Sequence, residues 1–468
     1  MKKISFYILS LLCGFSVLSC DDKETPEEDK VMTEADQKSF IEDVAIDLAG
    51  KMPSKDFEEI RDFYYDLSGI VSDTSWIEVA DSMMTSYFKC TKFIEEKDGI
   101  DTVISGYWRY DDNWNMYWIE DTSVVDVHFS LYEMALTLSN FTGHFTQTDT
   151  GWAYVKADDL QLVFKDVKED DCVLKIAKEG KETKMSMSYN ESQDSERNPK
   201  TGKEEWYIEH TDLYLCVPEK VTLSLSKNGQ NVIEVTVKYN INNLTEEGYF
   251  DLGKSNTTGG IEFALNNGYK LSFENQATAN DKLSLSSSLS NASGELVSFT
   301  ISGDPSGVPS MVLNEEFSIR EFSNEVQNDD ANIRNAYLSL SVDGALKMIG
   351  KVEDLRAFLE INDSINRNEC NEEKYKAFVE EINKHLDLGI YYGNGKTKQA
   401  SVQAEAYLKD KDEWRKEEYW NTRMVLVFSD GTRTSFDDFF DKDDFTKAIE
   451  AFEALEEEYE TFINGGEE

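Results

Sequence analysis

The sequence predicts an α+β protein: a large twisted antiparallel β-sheet with helices at the N- and C-terminal ends. Three observations predict it. Apolar residues stand at helical spacing between 32 and 95, alternate with polar ones from about 102 to 320, and return to helical spacing from Phe445 to Phe462.

At the N-terminal side Thr33 can cap a helix whose face carries Phe40, Ile41, Val44 and Leu48, with Gly50 and Pro53 as its stop. Ser54 is placed to cap a second helix bearing Phe57, Ile60, Tyr64 and Leu67, with Gly69 after it, and Trp76, Val79, Met83 and Tyr87 form a third stripe. Period two then takes over. Val125, Val127, Phe129 and Leu131 alternate with polar neighbours. Val221, Leu223 and Leu225 lead into Asn228-Gly229, and Ile233, Val235, Val237 and Tyr239 leave it. This is a hairpin signal, because Asn-Gly accepts the positive φ of a type I′ turn. The pattern repeats around Asn267-Gly268, and again from Leu283 to Ile301. One polar face along each strand means an antiparallel sheet with one side in water. In the last third, Leu338 to Met348 reads as a hairpin around Asp343-Gly344, and a short helix follows around Leu355, Phe358 and Leu359. Asn371 can cap a helix bearing Tyr375, Phe378, Val379, Ile382 and Leu386. Val402 to Leu408 alternates, and Val425 to Phe436 makes a final hairpin around Asp430-Gly431. The expected division is 1–19 signal peptide, 20–31 acidic tether, 32–95 helical segment, 96–325 antiparallel β body, and 326–468 a mixed part ending in an amphipathic helix.

The 468 residues suit two or three domains or one large β-rich unit. With 92 acidic and 47 basic residues the formal charge is −45. No basic footprint exists, so nucleic acid is not an expected partner, and anionic membrane surfaces suit the folded part no better. The 8 Trp, 22 Tyr and 26 Phe set the chain apart from a disordered acidic segment. Four histidines (His128, His144, His210 and His385) are few for a zinc or haem protein, and no cofactor or metal is expected. HExxH, GxSxG, GxxxxGK[ST] and GxGxxG are missing. Asp111, Asn113 and Asn115 have the spacing that opens an EF-hand loop, but Met116 stands where that loop needs Gly and Glu120 falls short of its bidentate position. Glycoside hydrolysis needs two converging carboxylates, and 92 acids make any one pair uninformative. No catalytic residue is assigned, and the reading leans away from an enzyme.

Met1-Lys2-Lys3 precedes a mostly apolar run, Ile4–Leu18, that is shorter than the roughly 20 residues of a membrane span. Val17-Leu18-Ser19-Cys20 then resembles a bacterial lipobox, which implies cleavage before Cys20 and its lipidation, with palmitate among the acyl groups. Asp21 to Asp29 holds one proline and no apolar residue, as a tether would. Cys13 leaves with the signal and Cys20 carries lipid. Cys90, Cys172, Cys216 and Cys370 then remain, with three possible pairings, and buried free thiols are the favoured reading.

The acidic segment behind Cys20 also looks like the export signal of Bacteroidota surface lipoproteins. Val425-Leu426-Val427-Phe428, Ser429-Asp430-Gly431, Ser435-Phe436-Asp437-Asp438-Phe439-Phe440 and the terminal acidic helix resemble the C-terminus of a group of those proteins. The resemblance covers the two ends. It implies an outer-membrane anchor with the body facing the cell exterior, a periplasm-facing body being the alternative, and it implies no chemistry. Asp81-Ser82-Met83, Asp101-Thr102-Val103 and Asp363-Ser364-Ile365 are similar to the O-glycosylation sites of that lineage.

The most unusual local composition is Tyr107 to Trp118, where three of the eight Trp lie within eleven residues. As two strands, Trp108 and Tyr110 share one face, and Trp114, Met116 and Trp118 share a face on the partner strand. Flat aromatics stack on the C–H faces of sugars while Asp, Asn and Arg take hydroxyls, so Trp108, Tyr110, Trp114, Tyr117 and Trp118 are the candidate ligand-binding residues. Cross-strand packing in a sheet core is the favoured reading and a ligand surface the alternative, and exposure decides between them. The functional expectation is a surface lipoprotein held to the membrane by its lipid anchor alone, acting as a binding or adhesion module for a glycan or host ligand. The alternatives are a structural or assembly lipoprotein that binds another envelope protein and, behind it, a glycan hydrolase.

Overall fold

The computed structural model describes residues 31–72, 88–96, 100–110, 115–137, 142–166, 168–314, 331–364, 372–393, 395–412 and 417–464. Helix α1 (Glu34–Gly50) starts at a capping box: the Thr33 hydroxyl accepts from the Asp36 amide and the Asp36 carboxylate accepts from the Thr33 amide. Its Ile41, Val44, Ala45 and Leu48 recur at helical spacing and are buried. Ser54 does not cap the next helix. It opens a 3-10 turn, Ser54–Phe57, and its amide and hydroxyl both donate to Glu458, at 2.8 and 2.7 Å. A tertiary acceptor thus takes the group that local pattern assigns to capping. Helix α2 (Glu58–Ser72) follows directly. The stripe from Trp76 to Tyr87 lies outside the described residues.

The strands are β1 (Phe88–Glu96), β2 (Ile100–Tyr110), β3 (Met116–Thr137), β4 (Gly143–Thr148), β5 (Gly151–Val155), β6 (Leu160–Lys165), β7 (Asp171–Arg197), β8 (Glu204–Lys227), β9 (Gln230–Asn242) and β10 (Asn256–Leu265). They continue with β11 (Lys270–Thr278), β12 (Lys282–Asn291), β13 (Gly294–Ser306), β14 (Asn332–Val342), β15 (Leu346–Asp354), β16 (Leu386–Tyr392), β17 (Ala400–Asp412), β18 (Glu417–Phe428) and β19 (Arg433–Ser435). Helices α3 (Leu355–Ser364) and α4 (Glu372–His385) interrupt them, and α5 (Thr446–Asn464) closes the chain. Strand β1 corrects the expected helical segment 32–95: Phe88 to Glu96 pairs with Leu136 to Phe129 of β3. A ready ladder there overrides local spacing.

All nineteen strands join one sheet, and from β6 to β19 each strand pairs antiparallel with the next in sequence. Two-residue turns join β8 to β9 and β12 to β13, which is why β-turn signals recur there, while α3 and α4 lie between β15 and β16. Asn228 and Gly229 have φ of 49° and 79°, as a type I′ turn requires. The segment Gly303 to Ser306 is the end of β13, with a shift of register between Ser302 and Asp304. The β13–β14 ladder crosses the division expected near residue 325, so the β body and the mixed part share one sheet. Two parallel pairings, β3 with β8 and β4 with β6, complete the α+β architecture.

Cross-strand partners share a face. Val235, Phe263, Leu271, Leu289, Val297, Val342, Leu346 and Tyr392 form one row across eight strands. The opposite face carries Ser272, Ser288, Ser298 and Ser341 in a row. Helices α1 and α5 cover one end of the apolar face, burying Val44, Leu48, Ala448 and Phe452 with Ile233, Leu296, Tyr392 and Phe428. Each large side chain so buried contributes about 1.5–3 kcal/mol. Helices α3 and α4 cover the same face further along, where the Asn383 amide donates to the Ala404 carbonyl (2.9 Å) and accepts from its N–H (2.8 Å). Helix α2 docks through charge: Lys168 meets Asp62 at 2.7 Å, and buried Lys227 meets Glu59 at 2.9 Å and Asp166 at 3.1 Å. Cys172 and Cys216 are free thiols, while the Cys90 side chain and Cys370 lie outside the described residues. Among the described residues no helix is long and apolar enough to cross a membrane.

Candidate ligand-binding site

Strands β1 and β2 follow one another along the same partner, β3. The result is a long hairpin in which Phe88 faces Leu136 and Tyr110 faces Met116. The far edge of β3 is paired with β8 only from Asp126, opposite Glu205, to Thr137, opposite Cys216. Strand β8 begins at Glu204, so nothing flanks residues 116–125 on that side among the described residues. Ten residues of β3 and their β2 partners therefore form a two-stranded arm, roughly 33 Å long at about 3.3 Å per residue.

The aromatic segment is the end of this arm. Trp108 stands opposite Trp118 and Tyr110 opposite Met116, so these four positions share one face. Arg109 stands opposite Tyr117 on the other. Tyr117 and Trp118 are 43% and 44% exposed, and Met116 and Arg109 are exposed as well. Their exposure does not fit core packing, the favoured expectation, and no layer covers them among the described residues. Trp114 lies outside the described residues, and of Trp108 and Tyr110 only the backbone placement is described. Cys20, the expected lipidation site, also lies outside them. The arm thus presents aromatic surface on both faces, with a guanidinium beside one of them. Stacking on an apolar or sugar ring and hydrogen bonding to hydroxyls are both within its chemistry.

At the root of the arm lies a polar cluster. His128 stacks on Tyr207 at 4.8 Å between centroids and lies 3.6 Å from Glu205. The Asn198 amide donates to Glu205, as does the Tyr207 hydroxyl at 3.2 Å. Those hydrogen bonds, Asn198 first, hold the Glu205 carboxyl below its ordinary range, while burial and then Glu205 push the Tyr207 hydroxyl up. The other histidines also have acids beside them: Asp159 is 2.7 Å from His144, Asp212 is 2.9 Å from His210, and Glu381 is 3.6 Å from His385. Spacing could have suggested the last two, at two and four residues apart. Among the described residues no His, Cys, Asp and Glu group of three or more is arranged for a metal ion.

A second feature lies on the polar face, where a shallow groove of about 690 Å³ crosses β8 to β12. Lys220, Lys238, Gly260, Glu274 and Ser286 form a row along it. A Cβ on Gly260 would come within 2.8 Å of the Phe273 carbonyl oxygen, so glycine is required by the close approach of β11. The groove offers donors and acceptors for a polar ligand, and sequence reading did not find it because its residues come from five strands. No family model, no curated protein and no solved structure matches the chain.

Proposed function

We propose that the chain is an outer-membrane-anchored lipoprotein, facing the cell exterior, that binds a glycan or host ligand through the aromatic end of the β2–β3 arm. The observation that carries this reading is the exposure of Tyr117 and Trp118 on opposite faces of a ribbon that no third strand flanks among the described residues. Exposed aromatics at one place on a soluble surface are the usual anchors of recognition. The lipidated Cys20 and the acidic tether to residue 31 fit a body held at a membrane and turned toward solvent. Glycan-array binding of the purified full chain, beside a Tyr117→Ala, Trp118→Ala variant with an unchanged melting curve, tests the reading. A tenfold or greater loss in the variant is expected, about 1.4 kcal/mol or more. Equal binding by both proteins excludes the arm. Partition of the native chain into detergent, lost in Cys20→Ala, tests the anchor. The second reading, an assembly lipoprotein that binds another envelope protein, is supported by an exposed apolar strip on the sheet.

A further inference from the structure

The apolar face of the sheet is incompletely covered. The row through Phe263, Leu271, Leu289 and Val297 lies at the margin of the helical layer, and Phe263, Leu289 and Val297 pack against the core. Two residues further along, at Ile261 and Phe273, and four further along, at Leu285 and Ile301, the cover ends. Ile261 stands opposite Phe273 and Leu285 opposite Ile301, and these four are 44–48% exposed. Leu283 is exposed beside them. The same face is roofed by α3 and α4 over β14 to β18. Over β10 to β13 no second layer is present among the described residues, and Ile261, Phe273, Leu285 and Ile301 are exposed there. Apolar residues exposed singly are ordinary, whereas these five stand together on four neighbouring strands beside the core row, with Ser287 and Asn275 between them on the same face.

We propose that this open face docks an amphipathic helix of a partner protein whose polar side is basic. Size selects a helix. Four strands at about 4.8 Å and three side-chain rows at about 6.6 Å give a patch on the order of 200 Å². A stable pairing of two copies needs about 800 Å² from each. A helix is about 10 Å wide, and nine residues at 1.5 Å span the four strands. Continuity points the same way, because the occupied parts of this face are covered by helices. Charge selects the polar side: with a net charge of −45 the chain repels a second copy and attracts a basic segment. The docking face is independent of the aromatic arm, and a Tyr117→Ala, Trp118→Ala variant keeps it.

The test uses two labelled 18-residue peptides of identical Leu/Lys composition, one with its leucines in a helical stripe and one scrambled. Binding to the full chain is read by fluorescence anisotropy, with Phe273→Ser, Leu285→Ser and Ile261→Ser, Ile301→Ser as separate variants. The striped peptide is expected to bind the native chain at least tenfold more tightly than the scrambled one, and each variant is expected to remove most of that difference. Equal binding of both peptides to the native chain overturns the proposal, since charge alone would then explain it. A preference that survives in both variants overturns it as well. A native dimer in sedimentation that both variants dissociate replaces the helix with a second copy. Binding to neutral phosphatidylcholine vesicles that the variants abolish, without any peptide preference, replaces it with a lipid surface.

Discussion

The Tyr392 hydroxyl donates to the Gln37 side-chain oxygen at 2.8 Å, joining β16 to α1 across 355 positions of sequence. Gln37 is fully buried, and its amide nitrogen donates to the Met32 and Gln399 carbonyls. Tyr392→Phe keeps the ring, which meets Phe40 edge-on at 4.6 Å, and leaves the Gln37 oxygen without its donor. An orphaned buried acceptor costs about 1–3 kcal/mol. Urea unfolding is expected to show that loss with an unchanged m-value. An unaltered midpoint would mean that α1 shifts to find another donor.

The seam between α2 and the sheet predicts acid sensitivity. Burial disfavours the Asp62 and Asp166 charges. Lys168 and Arg61 nevertheless hold Asp62 below its ordinary value, and backbone amides with Lys227 do the same for Asp166. A depressed carboxyl contributes stability that is present above its unfolded value of 3.8 and is lost as pH falls through the folded one. The urea midpoint is therefore expected to fall steeply below about pH 4. Lys227→Met leaves Asp166 buried without its cation, which costs roughly 3 kcal/mol at neutral pH. It is also expected to flatten the acid slope. Parallel pH profiles for the two proteins would count against the seam.

Where a signal is local, it was legible. Thr33 and the stripe from Ile41 to Leu48 announced α1, and Asn228-Gly229 announced its hairpin, because capping and positive φ are decided within a few residues. The acceptor that draws Ser54 away from capping, Glu458, lies 404 positions off and left no local trace. The aromatic arm was half legible. Period two placed Trp108 and Tyr110 on one face and Met116 and Trp118 on one face of the partner strand, as the ladder has them. Exposure was not readable, because it depends on β8 beginning at Glu204 and pairing with β3 only from Asp126 onward. The open strip over β10 to β13 was illegible for the same reason. Alternation looks identical beneath a helix and beneath water.

The thiol of Cys172 reports on the same seam. It is fully buried, and burial, with Asp166 next, pushes it up to about 11. At pH 8 only about one molecule in a thousand is then thiolate, and the sulfur is shielded as well. Maleimide at pH 8 is expected to spare Cys172 in the native protein, to label half-buried Cys216 slowly, and to label both in urea. Peptide mapping by mass spectrometry reads the sites. Rapid native labelling of Cys172 would show that the start of β7, between β6 and β8, opens readily.

Excision separates the arm from the body. Val103 faces Ser123, so replacing residues 104–122 with Asn-Gly joins β2 to β3 by a two-residue turn in register. The removed segment contains Tyr117 and Trp118. Its β3 residues, 116–122, lie before the first residue paired with β8, Asp126. A two-stranded ribbon without a third strand is marginally stable, and its loss should leave the unfolding free energy within about 0.5–1 kcal/mol of the native value. The body should keep its cooperative urea transition while glycan-array binding falls to background. A loss of several kcal/mol would show that the arm packs on the body and that its aromatics serve the fold. Full retention of both stability and binding would move the ligand site away from the arm, with the groove across Lys238 and Glu274 next in line.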